Sequence, residues 1–403
     1  MRTDFDADFL RKPEGARANE ILRSCVHCGF CNATCPTYQL TGDELDGPRG
    51  RIYIIRDLLQ SGENTDRAQH HLDRCLTCRA CETTCPSGVK YSELAEIARN
   101  EIGPNRNGLK GAYRFALAKL IPEVGLFRSL ARIGRMFRWL LPGRLSAHVP
   151  RKVYGVLPSQ ELGALPEDAP SVILLNGCAQ QVTTGNTNRH LQEVLTERGI
   201  RVVTSEEEVC CGALPLHLGD DSSARGFARQ NVDWIYEQLA DVTAVVSTAS
   251  GCGVTVKEYD QLLAKDPVYA ERANQVGQRT LDVAQYLNDL NLTWEATHPM
   301  GTKVAWHSPC SLQHGQQVNG VVESILRGAG YELVPVKDGH LCCGSAGTYS
   351  VLQPKLSRQL KANKLSALTQ EQPELIATAN VGCQNHLESD APIPVLHWIE
   401  LIK

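Results

Sequence analysis

The sequence contains no apolar run that approaches the roughly twenty residues a helix needs to span a bilayer. Its first residues are polar and acidic and lack the apolar centre of a secretory leader. We therefore expect a cytoplasmic protein, whose membrane contact is at most peripheral, on the cytoplasmic face of the inner membrane. The net charge of −4 argues against a nucleic-acid partner. No G-x-G-x-x-G segment follows a predicted strand and no Walker loop is present, which predicts no flavin, NAD or ATP site on this chain.

The composition is otherwise ordinary for a soluble protein, at 42% hydrophobic and 21% charged residues. A chain of 403 residues is too long for one compact core and predicts several domains. Sixteen cysteines would raise the question of disulfides, but they are grouped in metal-ligand spacings. Together with the absent leader, this grouping indicates metal binding in a reducing compartment.

Two cysteine runs of identical spacing occur in the first hundred residues. Each reads C-x2-C-x2-C-x3-C-P, the pattern in which three thiolates hold one cubane and the fourth holds the other. A single C-x-x-C also suits zinc, but two complete copies favour two [4Fe–4S] clusters. The predicted ligand sets are Cys25, Cys28, Cys31 and Cys85 for one cluster and Cys75, Cys78, Cys81 and Cys35 for the other.

Helical patterns surround these runs and predict an α-helical ferredoxin domain over residues 1–103. Residues 50–59 and 91–98 place their apolar side chains on one helical face. We expect these helices to pack around the clusters. The arginines beside the cysteine runs, which we expect to be solvated, are Arg23, Arg74 and Arg79.

Residues 104–170 lack cysteine, contain seven prolines and are predicted to be a connector. Within the connector, residues 127–144 carry five arginines and no acidic residue, and their apolar residues fall near helical spacing. Such a basic amphipathic helix can lie on an anionic membrane or dock on an acidic partner. Alternatively, its apolar side packs on the protein itself and its arginines are solvated.

The remainder of the chain is an internal repeat. In each half three apolar strands alternate with helical patterns, which predicts parallel α/β sheets in domains spanning 171–298 and 299–403. The cysteines would then lie beyond the carboxyl ends of strands, where such sheets bind ligands. A shift of 132 positions superimposes Cys178, Cys210 and Cys211 on Cys310, Cys342 and Cys343, and brings Cys252 one position past Cys383. The predicted strands cover 171–178, 200–204 and 243–248, then 303–310, 331–336 and 374–379.

Four thiols from three loops converge in each half and suit one further iron–sulfur cluster. Inert buried thiols, a redox-active vicinal pair and a zinc ion are alternatives that the residues leave open. Gly212 and Gly344 are predicted to let the backbone approach whatever the thiols hold. His217, His307 and His340 are predicted to be hydrogen-bonding or core residues rather than ligands. The candidate thiols are Cys178, Cys210, Cys211 and Cys252, then Cys310, Cys342, Cys343 and Cys383.

Four segments carry a family resemblance: CVHCGFCNATCP at 25–36, GDELDGPRGR at 42–51, TASGCG at 248–253 and HLCCGSAGTY at 340–349. Together they closely resemble the iron–sulfur subunits of bacterial glycolate oxidase, nearly from end to end. The two halves are similar to the cysteine-rich CCG domains of heterodisulfide reductase, anaerobic glycerol-3-phosphate dehydrogenase and lactate-utilisation proteins. The resemblance implies flavin-containing partner subunits that oxidise glycolate to glyoxylate. This chain would pass their electrons to a respiratory acceptor, which we expect to be quinone.

One departure from these relatives concerns the last cysteine element of each half. Ala249 and Asn380 stand where the heterodisulfide reductase pattern has a fifth cysteine, which argues against a five-thiolate non-cubane cluster. Three alternative functions stay open at this point. One is a heterodisulfide-reductase-like enzyme acting on a small thiol, another is the iron–sulfur subunit of a lactate or glycerol-3-phosphate dehydrogenase, and the third is a redox-sensing or structural binding protein.

Overall fold

A computed structural model of the chain describes residues 1–103, 108–140, 149–150, 152–155 and 165–403. Within these ranges an α-helical amino-terminal domain is followed by connecting helices and by two α/β halves, each built on a four-stranded parallel sheet. The predicted fold class, an α-helical domain followed by two tandem α/β repeats, is confirmed. The domain limits placed at residues 103, 170 and 298 stay predictions.

Short helices form the amino-terminal domain and pack around one apolar core. The two predicted helices are present as Pro48–Ser61 and Tyr91–Ile102. Pro48 stands in the first turn, where its missing N–H leaves no hydrogen bond unmade, and Gly62 ends that helix in the left-handed conformation at φ 69°. The other helices are Ala7–Arg11, Pro13–Ser24, Phe30–Ala33, Pro36–Thr41, Asp66–Asp73 and Ala80–Thr83, with a 3-10 turn at Glu44–Asp46.

The connecting segment contains the helices Gly108–Leu120 and Val124–Met136 and the 3-10 turn Arg138–Leu140. The first helix bridges two domains through its side chains. Arg114 forms an ion pair with Asp73 of the amino-terminal domain at 3.3 Å, and Lys119 forms one with Asp220 of the first half at 3.0 Å.

The helix Val124–Met136 corresponds to the predicted basic amphipathic helix, of which residues 141–144 lie outside the described residues. It rests on the protein through the buried Ala131. Its apolar stripe points outward, because Leu126, Leu130 and Ile133 are 50%, 40% and 52% exposed. The interpretation in which this stripe packs on the protein's own surface is therefore wrong.

The two sheets share one topology, with strand orders β2-β1-β3-β4 and β6-β5-β7-β8 and parallel pairing throughout. Val172 pairs with Ala244 in the first sheet, and Val304 pairs with Leu375 in the second. This equivalence confirms the internal repeat. The strands are β1 (Ser171–Leu175), β2 (Arg201–Val203), β3 (Ala244–Ser247), β4 (Thr280–Asp282), β5 (Lys303–His307), β6 (Glu332–Val334), β7 (Leu375–Thr378) and β8 (Val395–His397).

All six predicted strands are present, each shorter than predicted, but the fourth strand of each half was not predicted. Strands β4 and β8 are only three residues long. Strand β4 runs directly into the helix Val283–Asp289, and β8 runs directly into the 3-10 turn Trp398–Leu401. So short an apolar run cannot be distinguished by periodicity from the beginning of a helix.

Helices cover both faces of each sheet. Those of the first half are Gln180–Thr183, Gly185–Glu197, Ala213–Leu218, Asp221–Gln238, Ser250–Lys257, Tyr259–Leu262, Ala270–Arg279 and Val283–Asp289. Those of the second half are Val321–Gly328, Tyr349–Leu352, Pro354–Thr369 and Val381–Glu388, with a π-helical turn at Ser311–Gly315 and a 3-10 turn at Trp398–Leu401.

One apolar core joins the two sheets. Leu174 of β1, Trp306 of β5 and Trp398 belong to the same buried cluster. Successive strand residues point to opposite faces, so Ile173 faces a separate core in the first half and Ala305 faces one in the second. The two halves are therefore joined through a common interior.

No helix of the described residues combines the length and the apolar character needed to cross a membrane.

Gly344 is required for a different reason from the one predicted. Its φ is +89°, and an added Cβ would lie 2.8 Å from the carbonyl oxygen of Ser357 and 2.8 Å from the Cβ of Leu360. Gly212 repeats this arrangement against Ala224. The close neighbour in both cases is a helix rather than the contents of the thiol site.

We expect Gly344→Ala to destabilise the protein by about 2–4 kcal/mol, because it adds left-handed backbone strain and overpacks the contact with Ser357. Gly320→Ala is the matched control, since Gly320 has φ +77° but no neighbour within 4 Å. Gly320→Ala should destabilise the protein only by the left-handed backbone strain, about 1–2 kcal/mol. Denaturant unfolding under anaerobic conditions measures both. Equal losses would show that the helix contact does not constrain Gly344.

Candidate iron–sulfur centres

The first predicted set of cysteines lines one cavity of the amino-terminal domain. Cys25 follows the helix Pro13–Ser24, Cys31 lies in the turn Phe30–Ala33, and Cys85 comes from the second run. Burial and the neighbouring thiols raise the pKa of Cys31 to about 11. A cation is therefore needed to keep this group ionised. The cavity is lined by Cys25, Cys28, Cys31 and Cys85, and by Cys81 on its inner wall.

The second predicted set lines a neighbouring cavity, which shares Pro48, Cys81 and Tyr91 with the first. The structure thus brings together the thiols that the spacing grouped, including the two that cross between runs. Their assignment as iron ligands stays a prediction. The thiols of this cavity are Cys35, Cys75, Cys78 and Cys81.

Two buried arginines that sequence analysis did not identify flank the second cavity. Arg51 is 1% exposed and donates from Nε to the carbonyl oxygen of His71 at 2.8 Å and from Nη2 to Thr37 Oγ1 at 3.1 Å. Arg99 donates to the carbonyl oxygen of Cys75 at 3.0 Å. Burial alone would raise the pKa of Cys75, but these two guanidinium groups bring it below its usual value.

The sequence contains a pattern from which the burial of these two arginines could have been predicted. Each arginine is spaced so that it shares one face of its helix with apolar residues, Arg51 with Ile55 and Leu58, and Arg99 with Ala95 and Ile102. All six residues are buried. A charged residue within an apolar helical face requires a buried partner, and here the thiol cavity provides it.

Of the three arginines expected to be solvated, only Arg23 is exposed. Arg74 donates to Asp46 at 2.6 Å, and Arg79 forms a two-pronged ion pair with Glu258 in the first half, with Nη2 to Oε2 at 2.6 Å. The expectation is wrong for these two because acidic partners distant in sequence reach them. Arg79 therefore attaches the amino-terminal domain to the first half.

We expect Arg51→Met to lower the reduction potential of a cluster on the second set by on the order of 50 mV, because a positive charge favours the added electron by roughly 1 kcal/mol. Arg51→Lys keeps the charge and serves as the control. Potentiometric titration followed by electron paramagnetic resonance (EPR) measures both. A shift of equal size in the two variants would contradict the electrostatic role of Arg51.

In the first half, four thiols gather beyond the carboxyl ends of β1 and β3. Cys178 Sγ lies 3.5 Å from Cys210 Sγ. The thiols of Cys178 and Cys211, together with burial, raise the pKa of Cys210 well above normal, and contact with Cys211 does the same for Cys252. Cys211, between these two neighbours, has its pKa lowered. Ionisation of one of these thiols therefore opposes ionisation of its neighbours.

The second half repeats the arrangement. Cys310 Sγ lies 3.9 Å from Cys342 Sγ, and the backbone N–H of Gly344 donates to Cys342 Sγ at 3.4 Å. Asn380, at the position of the absent fifth cysteine, points its amide at Cys383 Sγ at 3.7 Å. The π-helical turn Ser311–Gly315 begins directly after Cys310, and such turns are frequent at functional sites.

The charged groups near the two thiol sets differ. In the first half the carboxylate of the half-buried Glu208 accepts from the backbone N–H of Asn176 and of Gly177, both at 2.8 Å, and desolvation raises its pKa to about 7. In the second half the buried ammonium of Lys364 donates to the carbonyl oxygens of Asp338 at 2.9 Å and Gly339 at 3.3 Å. The thiols of the second half therefore have the more positive surroundings.

The second half also touches the amino-terminal domain at its thiols. Leu76, Tyr349 and Leu360 form a buried apolar cluster that also contains Cys342 and against which Cys78 and Cys310 pack. Burial raises the pKa of Cys78 well above normal, and the thiol of Cys310 adds to the shift. Cys78 of the amino-terminal domain and the thiols of Cys310 and Cys342 in the second half thus lie on two sides of one apolar contact.

The three histidines singled out in the sequence have different positions. His340 is exposed. His217 lies near Arg79 and Arg99, and burial lowers its pKa to about 3. His307 is buried, and neither ring nitrogen has a hydrogen-bond partner among the residues that the structure describes.

The donor chemistry of all four sites fits iron–sulfur clusters, since each gathers four thiols, all of them buried or half-buried except Cys28. The family model of the 4Fe-4S dicluster domain matches residues 21–89, and the model of the cysteine-rich domain matches residues 172–257 and 304–388. Fold and thiol sites together define an iron–sulfur protein with tandem cysteine-rich domains.

Known relatives identify the family more closely. The chain is 44% identical to the glycolate oxidase iron-sulfur subunit of Escherichia coli, over 100% of this chain and 98% of that protein. It is 32% identical to the probable glycolate oxidase iron-sulfur subunit of Bacillus subtilis, over 95% and 92% of the two chains. The chain belongs to the family of glycolate oxidase iron–sulfur subunits, and the resemblance seen in its motifs is confirmed.

Two more distant similarities also extend over nearly the whole chain. One subunit of the fumarate reductase (CoM/CoB) of Methanothermobacter marburgensis is 24% identical over 97% of this chain and 74% of that protein. The crystal structure of a hypothetical protein from Helicobacter pylori superimposes with a TM-score of 0.57 at 10% identity, covering 98% of this chain and 73% of that chain. That likeness shows a shared fold.

Proposed function

We propose that this chain is the electron-transfer subunit of a glycolate-oxidising complex. Flavin-containing partner subunits oxidise glycolate to glyoxylate, and this chain carries the electrons to a respiratory acceptor, which we take to be quinone. Family membership supports the reaction. The observation that carries the proposal is the continuity of thiol sites from the exposed Cys28, through Cys78, to Cys310 in the second half.

The residues that would hold iron are the two crossed ferredoxin sets, with one further centre on the four thiols of each half. Clusters held there supply one-electron redox chemistry, which a two-electron flavin donor needs in order to feed a chain of single-electron carriers. The protein provides the setting. Arg51 and Arg99 offset negative charge at the second set, while Leu76, Tyr349 and Leu360 exclude water between that set and the second half.

Electrons from the partner are proposed to arrive at the first set. Cys28 is the exposed member of that set. Around it, Val26 and Phe30 are 67% and 59% exposed, and the ring of His27 stacks on Tyr53 with centroids 4.8 Å apart. An apolar surface beside an exposed ligand suits a docked redox partner. We therefore place the flavin-bearing subunit on this surface.

Peripheral membrane contact is proposed for the helix Val124–Met136. Its outward stripe of Leu126, Leu130 and Ile133 continues in the 3-10 turn with Trp139, which is exposed. Arginines flank the stripe, and the sequence has no acidic residue between Glu123 and Glu161. Exposed leucines, an interfacial tryptophan and a purely basic charge favour the headgroup region of an anionic bilayer over an acidic protein.

For the relay, we expect Phe30→Glu to slow glycolate-dependent dye or quinone reduction by the assembled complex by about tenfold, because a charge enters the centre of an apolar interface. Reduction of the isolated chain by dithionite should not change. Val268→Glu, at another exposed apolar residue of the first half, is the matched control and should leave both rates unchanged.

Two results would contradict the relay. One is reduction of the isolated chain by glycolate without any partner. The other is steady cleavage of a small disulfide by the dithionite-reduced isolated chain, which would instead support a heterodisulfide-reductase-like enzyme. Ala249 and Asn380, in the places of the fifth thiols, argue against that second function.

For the membrane contact, we expect the double change Leu130→Ser with Ile133→Ser to weaken binding to anionic vesicles by about thirtyfold, at roughly 1 kcal/mol for each half-exposed side chain. Arg132→Gln should weaken it about fivefold, and only on anionic vesicles. Val268→Ser is the control. Cosedimentation with neutral and anionic vesicles measures all three, and a wild-type chain that stays in solution with both would refute the contact.

A further inference from the structure

His307 is a buried imidazole without any partner in the described part of the chain. It is the last residue of β5, is 2% exposed, and neither Nδ1 nor Nε2 makes a hydrogen bond to a described residue. A buried polar group left without a partner costs about 1–3 kcal/mol, so such groups in native proteins have a use. Its equivalent in the first half, 132 positions earlier, is Leu175, which has no donor atom.

The imidazole points into the thiol site. A ring nitrogen of His307, Cys343 Sγ and Cys383 Sγ all lie within 4.8 Å of one another. Cys342 adjoins Cys343 in the chain, and Cys310 Sγ lies 3.9 Å from Cys342 Sγ. Five donor atoms therefore converge in the second half, one nitrogen and four sulfurs, whereas four sulfurs converge in the first.

A buried positive charge lies beside these sulfurs. The ammonium of Lys364 is buried, and its hydrogen bonds go to the carbonyl oxygens of Asp338 and Gly339. The thiols of Cys342, Cys343 and Cys383 lie near enough to act on it electrostatically. Thiolates held by a metal would supply the negative charge that a buried ammonium requires.

We propose that His307 takes the place of one of the four thiolates as a ligand of an iron–sulfur centre in the second half, whereas the centre of the first half has thiolate ligands only. This inference rests on the proposed function in assuming iron in both halves. Exchange of a thiolate for a neutral imidazole makes a cluster less negative and easier to reduce. The centre beside Cys78 would then be the favoured destination for electrons.

The competing role for His307 is donation of an N–H hydrogen bond to sulfur, which would also use the buried ring. The two roles differ in the bond to iron. A directly bonded nitrogen gives one iron a distinct Mössbauer signature and couples strongly to any unpaired electron. A hydrogen-bonding ring leaves all irons sulfur-ligated.

The test uses the full chain, purified without oxygen from cells supplied with the Mössbauer-active iron isotope and with histidine labelled in heavy nitrogen. We expect a nitrogen-ligated iron site in the Mössbauer spectrum of the wild type and strong coupling to the histidine label in pulsed EPR. Both signatures should vanish in His307→Gln and in His307→Cys and persist in His340→Gln, whose ring is exposed. His307→Cys supplies another sulfur ligand, so it should keep its iron while its reduction becomes roughly tenfold or more less favourable at a fixed potential.

Two outcomes overturn the inference, and they are distinguishable. About sixteen irons per chain with only sulfur-ligated sites would refute His307 ligation and leave the proposed relay intact. About eight irons per chain would refute the centres of both halves, and His307 ligation with them, and would leave the ferredoxin sets as the only carriers.

Discussion

Crowding of sulfur is the constraint on which the rest of this structure depends. Thiols lie 3.5–3.9 Å apart in the two α/β halves, mostly out of water. Burial and the neighbouring thiols raise the pKa of Cys31, and contact with another thiol raises the pKa values of Cys210 and Cys310. In their ionised form such groups are stable together only with bound metal or with nearby positive charge. The buried Arg51, Arg99 and Lys364 provide the second of these, and iron would provide the first.

This constraint also explains how the domains are joined. The crossed ferredoxin sets tie two segments of the amino-terminal domain to each other, and a shared apolar interior joins the two sheets. The repeat nonetheless diverged in its contacts. Its second half meets Leu76 and Cys78 through Tyr349 and Leu360, whereas its first half meets the same domain through the ion pair of Glu258 with Arg79. A duplicated unit thus has two environments, one suited to exchanging electrons with the ferredoxin domain and one suited to holding it in place.

Much of the site could be predicted because ligand spacing is a local property of the sequence. The repeated cysteine run sufficed to group Cys35 with the second set and Cys85 with the first, and the strands that precede Cys178 and Cys310 were evident from apolar runs. Tertiary features were not predictable in the same way. Strands β4 and β8 are three residues long, Gly344 is required by a helix brought close only in the fold, and the acidic partner of Arg79 is distant in sequence. The outward direction of the apolar stripe at Leu126 and Leu130 likewise depends on which side of the helix the protein covers.

The exposure of Cys28 has a consequence for how this protein fails. The other thiols are buried or half-buried, so dissolved oxygen and peroxide meet the thiol of Cys28 first. In the proposed relay, oxidative damage that begins there would disconnect the chain from its donor while the inner sulfurs are still intact. A molecule injured in this way would cease to accept reducing equivalents from the proposed donor, so fewer of them would reach oxygen as superoxide from its deeper sites.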